Sequence, residues 1–353
     1  MNKTPFFWDN YSDQPSVIKD KSYKKAMRKK YIFDYFYMLF SSIFILPFSI
    51  IFMKLFKGNN HKISNRDLIG IGVNLDKGSS QQDLVEELGV KNLIIRMPLW
   101  DIKNIDLYVD FAKSFNNTSN KNILLNIMQD REHIEDKKLL ENHLDLIFSK
   151  FSSFVFEYQI ATTINRAKWG FFSVKEYLNF YKIAQNLRDC KYKDLKLLGP
   201  SIIDFEYYYN VRAMFNFSNI KYDKLSALLY VDRRGKPTNT QYGIFDTKNK
   251  IDLLFSLCKL SPKVNNEIYI TEVNWPISNT SPYAPTSEKE CISNELYTKY
   301  MCEYLKIVKN SKKIKRVYWH QLIAPGYGLV DNRNEKIVKL PQFYKFKELI
   351  NEN

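Results

Sequence analysis

Cysteine and histidine are both scarce, four of each in 353 residues, and neither is spaced to hold a metal. Cys190, Cys258, Cys291 and Cys302 form no C-x-x-C pair and have no histidine cluster beside them, so neither a metal nor a cofactor is expected. Cys291 and Cys302 lie eleven residues apart and could bridge in an oxidising compartment. Buried free thiols are the simpler reading. Nucleotide-binding glycine patterns are missing too: no GxGxxG follows the first strand-like run, and no GxxxxGK[ST] occurs. There is no internal repeat and no low-complexity segment. No compact basic run carries interleaved aromatics, so a formal net charge of +15 does not point to nucleic acid.

What the chain does have is an uneven charge distribution and one long apolar run. Residues 1–66 hold 12 Lys/Arg against 4 Asp/Glu, a net +8. Residues 1–34 read as a basic cytoplasmic tail. Residues 36–53 then carry no charge, and Leu55 and Phe56 extend the run past Lys54. That length approaches the roughly 20 residues needed to cross a hydrocarbon core. No small-residue cleavage site follows, because Lys54-Leu55-Phe56-Lys57 is bulky and basic. The expectation is an uncleaved single-pass helix over residues 35–56, with Pro47 tolerated inside it. A re-entrant or interfacial hairpin broken at Pro47 is the alternative. Six Lys/Arg between Lys21 and Lys30 face Lys54, Lys57, Lys62 and Arg66 on the other side. This bias puts the N-terminus in the cytoplasm and the main domain in the periplasm, anchored to a bacterial inner membrane. A lipid bilayer is thus one expected partner.

Residues 57–67 read as a linker and 68–353 as one α/β domain. Strand-like runs at 68–75, 92–97, 123–128, 154–160, 195–203, 225–230, 268–272 and 317–322 alternate with helical patterns or long loops. Eight such units favour a (β/α)8 TIM barrel over an open sheet. In such a barrel, chemistry sits at the C-terminal strand tips. Glu272 ends the run Ile268-Tyr269-Ile270-Thr271-Glu272, and a carboxylate there is costly unless it is hydrogen-bonded or open to a cleft. Polar residues recur at the other tips. The candidate binding set is Arg96, Gln159, Thr163, Asn165, Trp169, Tyr230, Asp232, Arg233, Trp275, Trp319, His320 and Gln321. Arg233 and Arg234 could pair with a carboxylate or phosphate on an acidic sugar through their forked donors. Gly326 and Gly328 allow positive φ or close approach by a sugar.

Arg96, the run Tyr158 to Asn165, Tyr230, Ile270-Thr271-Glu272 and Trp319 together resemble the clan of retaining glycoside hydrolases built on (β/α)8 barrels. The resemblance implies Glu272 as nucleophile. It fails at the partner: the clan's acid/base glutamate falls on Thr163, within Tyr158-Gln159-Ile160-Ala161-Thr162-Thr163-Ile164-Asn165. A retaining mechanism needs two carboxyl groups about 5–5.5 Å apart, and a hydroxyl cannot deliver the proton. Glu206 and Asp204 are the candidate replacements, with Asp232 third and Glu157 weaker. Two readings stay open. One is a hydrolase acting on a bacterial envelope glycan, lipopolysaccharide sugar or glycolipid. The other is a non-catalytic glycan-binding barrel, or an accessory partner of another envelope-processing subunit.

Overall fold

The computed structural model describes residues 6–58, 63–116, 120–333 and 336–352. Lys62, which entered the charge bias, and part of the expected linker lie outside them. Eight strands form a closed, all-parallel barrel: β1 (Ile69–Val73), β2 (Asn92–Pro98), β3 (Asn122–Met128), β4 (Glu157–Ile160), β5 (Lys196–Ile203), β6 (Lys224–Leu228), β7 (Ile268–Val273) and β8 (Arg316–Trp319). The ring closes where β8 pairs with both β1 and β7. Each expected strand is present, displaced by a few residues at most. The runs were legible because parallel strands are buried on both faces and so read as near-continuous apolar stretches.

The longer α-helices are α1 (Lys21–Lys30), α2 (Ile32–Phe52), α3 (Gln81–Leu88), α4 (Ile105–Ser114), α5 (Lys137–Phe151), α6 (Val174–Lys191), α7 (Tyr207–Met214), α8 (Thr247–Leu260), α9 (Asn294–Ser311) and α10 (Pro341–Asn351). From α3 onward they wrap the barrel. Inside it, Ile94, Leu124, Leu198, Tyr269 and Tyr318 form their own buried cluster. Gly70 is required there: a Cβ would sit 2.6 Å from the Tyr318 ring. Glu157 lies at the opposite end of the barrel from Glu272. It is paired at 2.7 Å with both Lys224 and Arg316 and accepts from the Tyr269 hydroxyl at 2.9 Å. It is a structural counter-ion and not a candidate acid.

The N-terminal region departs most from expectation. Residues expected to form a separate tail include a short antiparallel ribbon, Trp8–Asp9 paired with Gln14–Pro15, seated on the barrel mouth. Helix α2 is the helix, among the described residues, long and apolar enough to cross a membrane. It runs unbroken through Pro47, unlike the hairpin alternative. Yet it lies along α7 and α8 for its whole length. Asp34 binds Arg212 at 2.7 Å and the Lys175 amide at 2.8 Å, Tyr37 donates to the Phe215 carbonyl, and Ser256 donates to the Ser49 carbonyl. Ribbon and barrel therefore sit together. All four cysteines are unbridged, Cys258 buried and Cys190 exposed, so Cys291 and Cys302 form no disulfide.

Candidate active site

Register sets the floor of the cleft. Arg96 on β2 is level with Asn126 on β3, which is level with Gln159 on β4. Gln159 donates to Asn126 at 3.0 Å and is fully buried, so it packs the floor. Glu272, the fifth residue of β7, rises above this layer with its side chain partly open.

The Glu272 carboxylate is held from two sides. The Tyr230 hydroxyl donates to Oε1 at 2.6 Å, and the Arg96 guanidinium stands 3.7 Å from Oε2. Burial, together with the Glu272 charge, pushes the Tyr230 phenol well above its ordinary range, so it stays protonated and donating. Arg234 lies over the Tyr230 ring, 3.3 Å from its centre. Arg96 also contacts His320 Nε2 at 2.9 Å and donates to the Asp13 carbonyl at 3.5 Å. Arginine can only donate, so Nε2 accepts and the imidazole proton sits on Nδ1, 3.9 Å from Glu272 Oε2. Burial and the nearby Arg96, Lys77 and Arg234 charges hold the His320 pKa well below the ordinary value, keeping the ring neutral. Tyr327 stacks on that ring at 5.4 Å. An ionised carboxylate in this setting can attack an electrophilic carbon or orient a cation or hydroxyl.

Thr163 shares the cleft with Glu272. Its backbone is left-handed (φ 51°), and its hydroxyl lies 3.4 Å from that of Thr162. The proposed replacements do not reach this cleft. Arg166 clamps Glu206 at 2.5 Å and Asp204 at 2.7 Å, and Asn165 donates to Glu206 at 2.8 Å. Asp204, Glu206, Asp232 and the exposed Arg233 line a neighbouring cavity of about 340 Å³. Among the described residues, the carboxylates lining the cleft are Glu272 and Asp13.

Asp13 was not foreseen. It comes from the N-terminal ribbon and is buried among Lys77 at 2.9 Å, the Tyr327 hydroxyl at 2.9 Å and Gln321 at 3.3 Å. Gln321 also contacts Asn74, so it anchors the ribbon and is itself fully buried. Gln14 accepts from Lys168 at 2.6 Å and donates to the Pro285 carbonyl. Trp8 packs against Trp100 at 5.2 Å and Trp169 at 5.9 Å, covering Trp169, which was expected to receive a ligand. With the ribbon in place the cleft holds about 180 Å³. Ligand pockets run from roughly 300 Å³ upward, so the ribbon takes up space a larger ligand would need.

Two expected platforms are not in the cleft. Trp275 and Trp319 are fully buried, stacked 5.9 Å apart, with their indole N–H groups on the Gly235 carbonyl and the Tyr297 hydroxyl. They hold β7 and β8 to α9. Gly326 is required by the Tyr283 loop, whose carbonyl would lie 2.3 Å from a Cβ, and not by a sugar. The cleft's cations are Arg96, Arg166, Lys168 and Arg234, against two carboxylates. Burial, then the neighbouring Arg166, pulls the Lys168 pKa down. Arg234 Nη1 is buried without a hydrogen-bond partner. Among the described residues, no group of three or more His, Cys, Asp or Glu side chains is placed to hold a metal.

Comparison of the fold places this geometry among known barrels. A β-glucosidase from Thermotoga maritima in complex with glucoimidazole superposes with a TM-score of 0.59 at 11% identity, covering 83% of this chain and 98% of that one. A family 39 glycoside hydrolase from the gut symbiont Bacteroides cellulosilyticus WH2 gives 0.58 at 12% identity, over 82% and 65%. A monomeric β-xylosidase from Caulobacter crescentus CB15 gives 0.58 at 13%, over 83% and 70%. No family model matches the sequence. No curated protein matches it either. At these identities the likeness establishes a glycosidase-like barrel fold, and what the cleft does rests on its own residues.

Proposed function

We propose that this barrel acts on an acidic glycan, with Glu272 as the nucleophile of a retaining glycosyl-transfer step that has no dedicated proton donor. The observation that carries this is the Glu272 setting: a carboxylate at a strand tip, fixed by Tyr230 and flanked by Arg96, in a cleft shared with Thr163. Attack by Glu272 on an anomeric carbon breaks the bond to the leaving oxygen and leaves a glycosyl ester on Glu272. A leaving group that is stable as an anion needs no proton, whereas an alkoxide does. The excess of cleft cations and the unpaired Arg234 Nη1 favour a carboxylate- or phosphate-bearing sugar. The membrane-length apolar helix α2 favours a glycan found near a bilayer, an envelope polysaccharide or glycolipid.

A panel of glycosides with graded leaving groups tests this. Dinitrophenyl uronides are expected to release dinitrophenolate, and alkyl uronides to release their alcohol slowly or not at all. Equal rates for both would show a working acid and overturn the absence of a donor. The second reading, a glycan-binding barrel without turnover, is favoured by Thr163 and by the ribbon seated in the mouth. Saturable binding of acidic oligosaccharides with no phenol release from any glycoside would support it.

A further inference from the structure

Helix α2 is inside out. Asp34, Met38, Ser42 and Ser49 are its buried residues, continued by Met53 just past its end, at four- or seven-residue intervals, and they face the barrel. The opposite seam is Phe33, Phe36, Phe40, Phe44, Phe48 and Ile51, spaced three or four apart and each more than half exposed. The polar groups thus face protein and the aromatic groups face outward. A water-facing helix would be patterned the other way round. Phe217, from the loop after α7, is 88% exposed and packs its ring 5.3 Å from Tyr37, extending the apolar surface beyond the helix.

Two observations decide what covers this seam. The first is charge. Between Lys21 and Gly58 the chain carries Lys21, Lys24, Lys25, Arg28, Lys29, Lys30, Lys54 and Lys57, with Asp34 as the single acid, and Arg212 neutralises that acid. Basic residues at both ends of an exposed apolar seam match an anionic lipid surface. The second is contact along the whole helix. A 21-residue helix is about 30 Å long. It touches the barrel near its start through Asp34 and near its end through Ser49 and Met53. Crossing a bilayer alone would strip these contacts and leave Asp34 and Arg212 unpaired.

We infer that α2 lies in the plane of an anionic membrane, bound to the barrel on one face and to lipid on the other. The ribbon and the barrel then share one side of the bilayer. This inference does not depend on what the cleft binds.

The full-length chain tests it in flotation with phosphatidylcholine vesicles, with and without phosphatidylglycerol. Strong co-flotation with anionic vesicles is expected, weakened by high salt. The triple change Phe36→Ser, Phe40→Ser and Phe44→Ser is expected to cut the bound fraction by about tenfold or more, with an unchanged circular dichroism spectrum because those side chains pack on nothing in the barrel. Unimpaired flotation of a folded triple variant would overturn the seam. A dimer in light scattering that the triple change abolishes, with no vesicle binding, would assign the seam to a second copy and overturn it too. Topology is read in sealed membrane vesicles with Asn10→Cys and the native exposed Cys190, labelled by an impermeant maleimide and quantified by peptide mass. Both sites reacting, or both protected, is expected. One of each would mean the helix spans.

Discussion

The Tyr230 hydroxyl donates a 2.6 Å hydrogen bond to Glu272 Oε1, across the gap between the ends of β6 and β7. Hydrogen bonds to charged groups contribute about 1.5–3 kcal/mol. Tyr230→Phe is therefore predicted to slow formation of the glycosyl ester by roughly 10- to 100-fold. Pre-steady-state phenol release from a dinitrophenyl glycoside measures it. A Phe variant that reacts at the native rate would mean the hydrogen bond positions nothing.

Arg166 occupies both Glu206 and Asp204. Glu206→Gln and Asp204→Asn are accordingly predicted to leave phenol release from activated glycosides within about twofold of native, while Arg166→Ala lowers the melting temperature by leaving two part-buried carboxylates without their partner. A loss of about 100-fold or more in Glu206→Gln on glycosides with poor, alkoxide leaving groups, typical of a removed general acid, would restore that residue as the proton donor.

Asp13 ties the ribbon to the cleft through Lys77, Tyr327 and Gln321. Burial pulls the Lys77 pKa down, but Asp13 and Asp76 outweigh it and the net shift is upward from 10.5. A raised lysine contributes stability that is complete below its unfolded value and lost as pH climbs through the folded one. The ribbon should stay seated through neutral pH and loosen only in strong alkali. Asp13→Asn is predicted to cost about 1–3 kcal/mol and to expose residues 6–18 to limited proteolysis at neutral pH. Protection equal to the native chain would show that Asp13 does not hold the ribbon.

His320 makes the fold sensitive to acid. Its native pKa is depressed well below 6.5, so on falling below pH 6.5 the unfolded chain takes up a proton that the native state refuses. Stability should fall by up to ~1.4 kcal/mol per pH unit as pH drops from about 6.5 towards 5. His143 is also depressed, by burial and by His133, so native and His320→Gln must be compared directly. The variant is predicted to have the flatter profile in chemical denaturation. Parallel profiles would contradict a neutral, buried His320.

The fold was legible because each barrel strand is a short apolar run, and Glu272 stood out as a carboxylate ending one. Trp275 and Trp319 were misread because an aromatic after a strand tip looks the same whether it faces the cleft or the helices outside. Asp13 could not be seen: it lies far from every barrel strand in sequence, and only folding brings it beside Tyr327 and Lys77. The orientation of α2 was readable in principle. Asp34, Ser42 and Ser49 fall on one face of an otherwise apolar helix, a polar stripe that a lone spanning helix has no use for.

Covalent capture tests the central claim most directly. Full-length protein is mixed with a dinitrophenyl glycoside of an acidic sugar, and intact mass is followed by peptide mapping. Because no residue stands ready to activate water at Thr163, the glycosyl ester should accumulate, with the added mass on the peptide holding Glu272 and none in Glu272→Gln. No adduct with any acidic or neutral glycoside, or an adduct that persists in Glu272→Gln, would contradict Glu272 as the nucleophile.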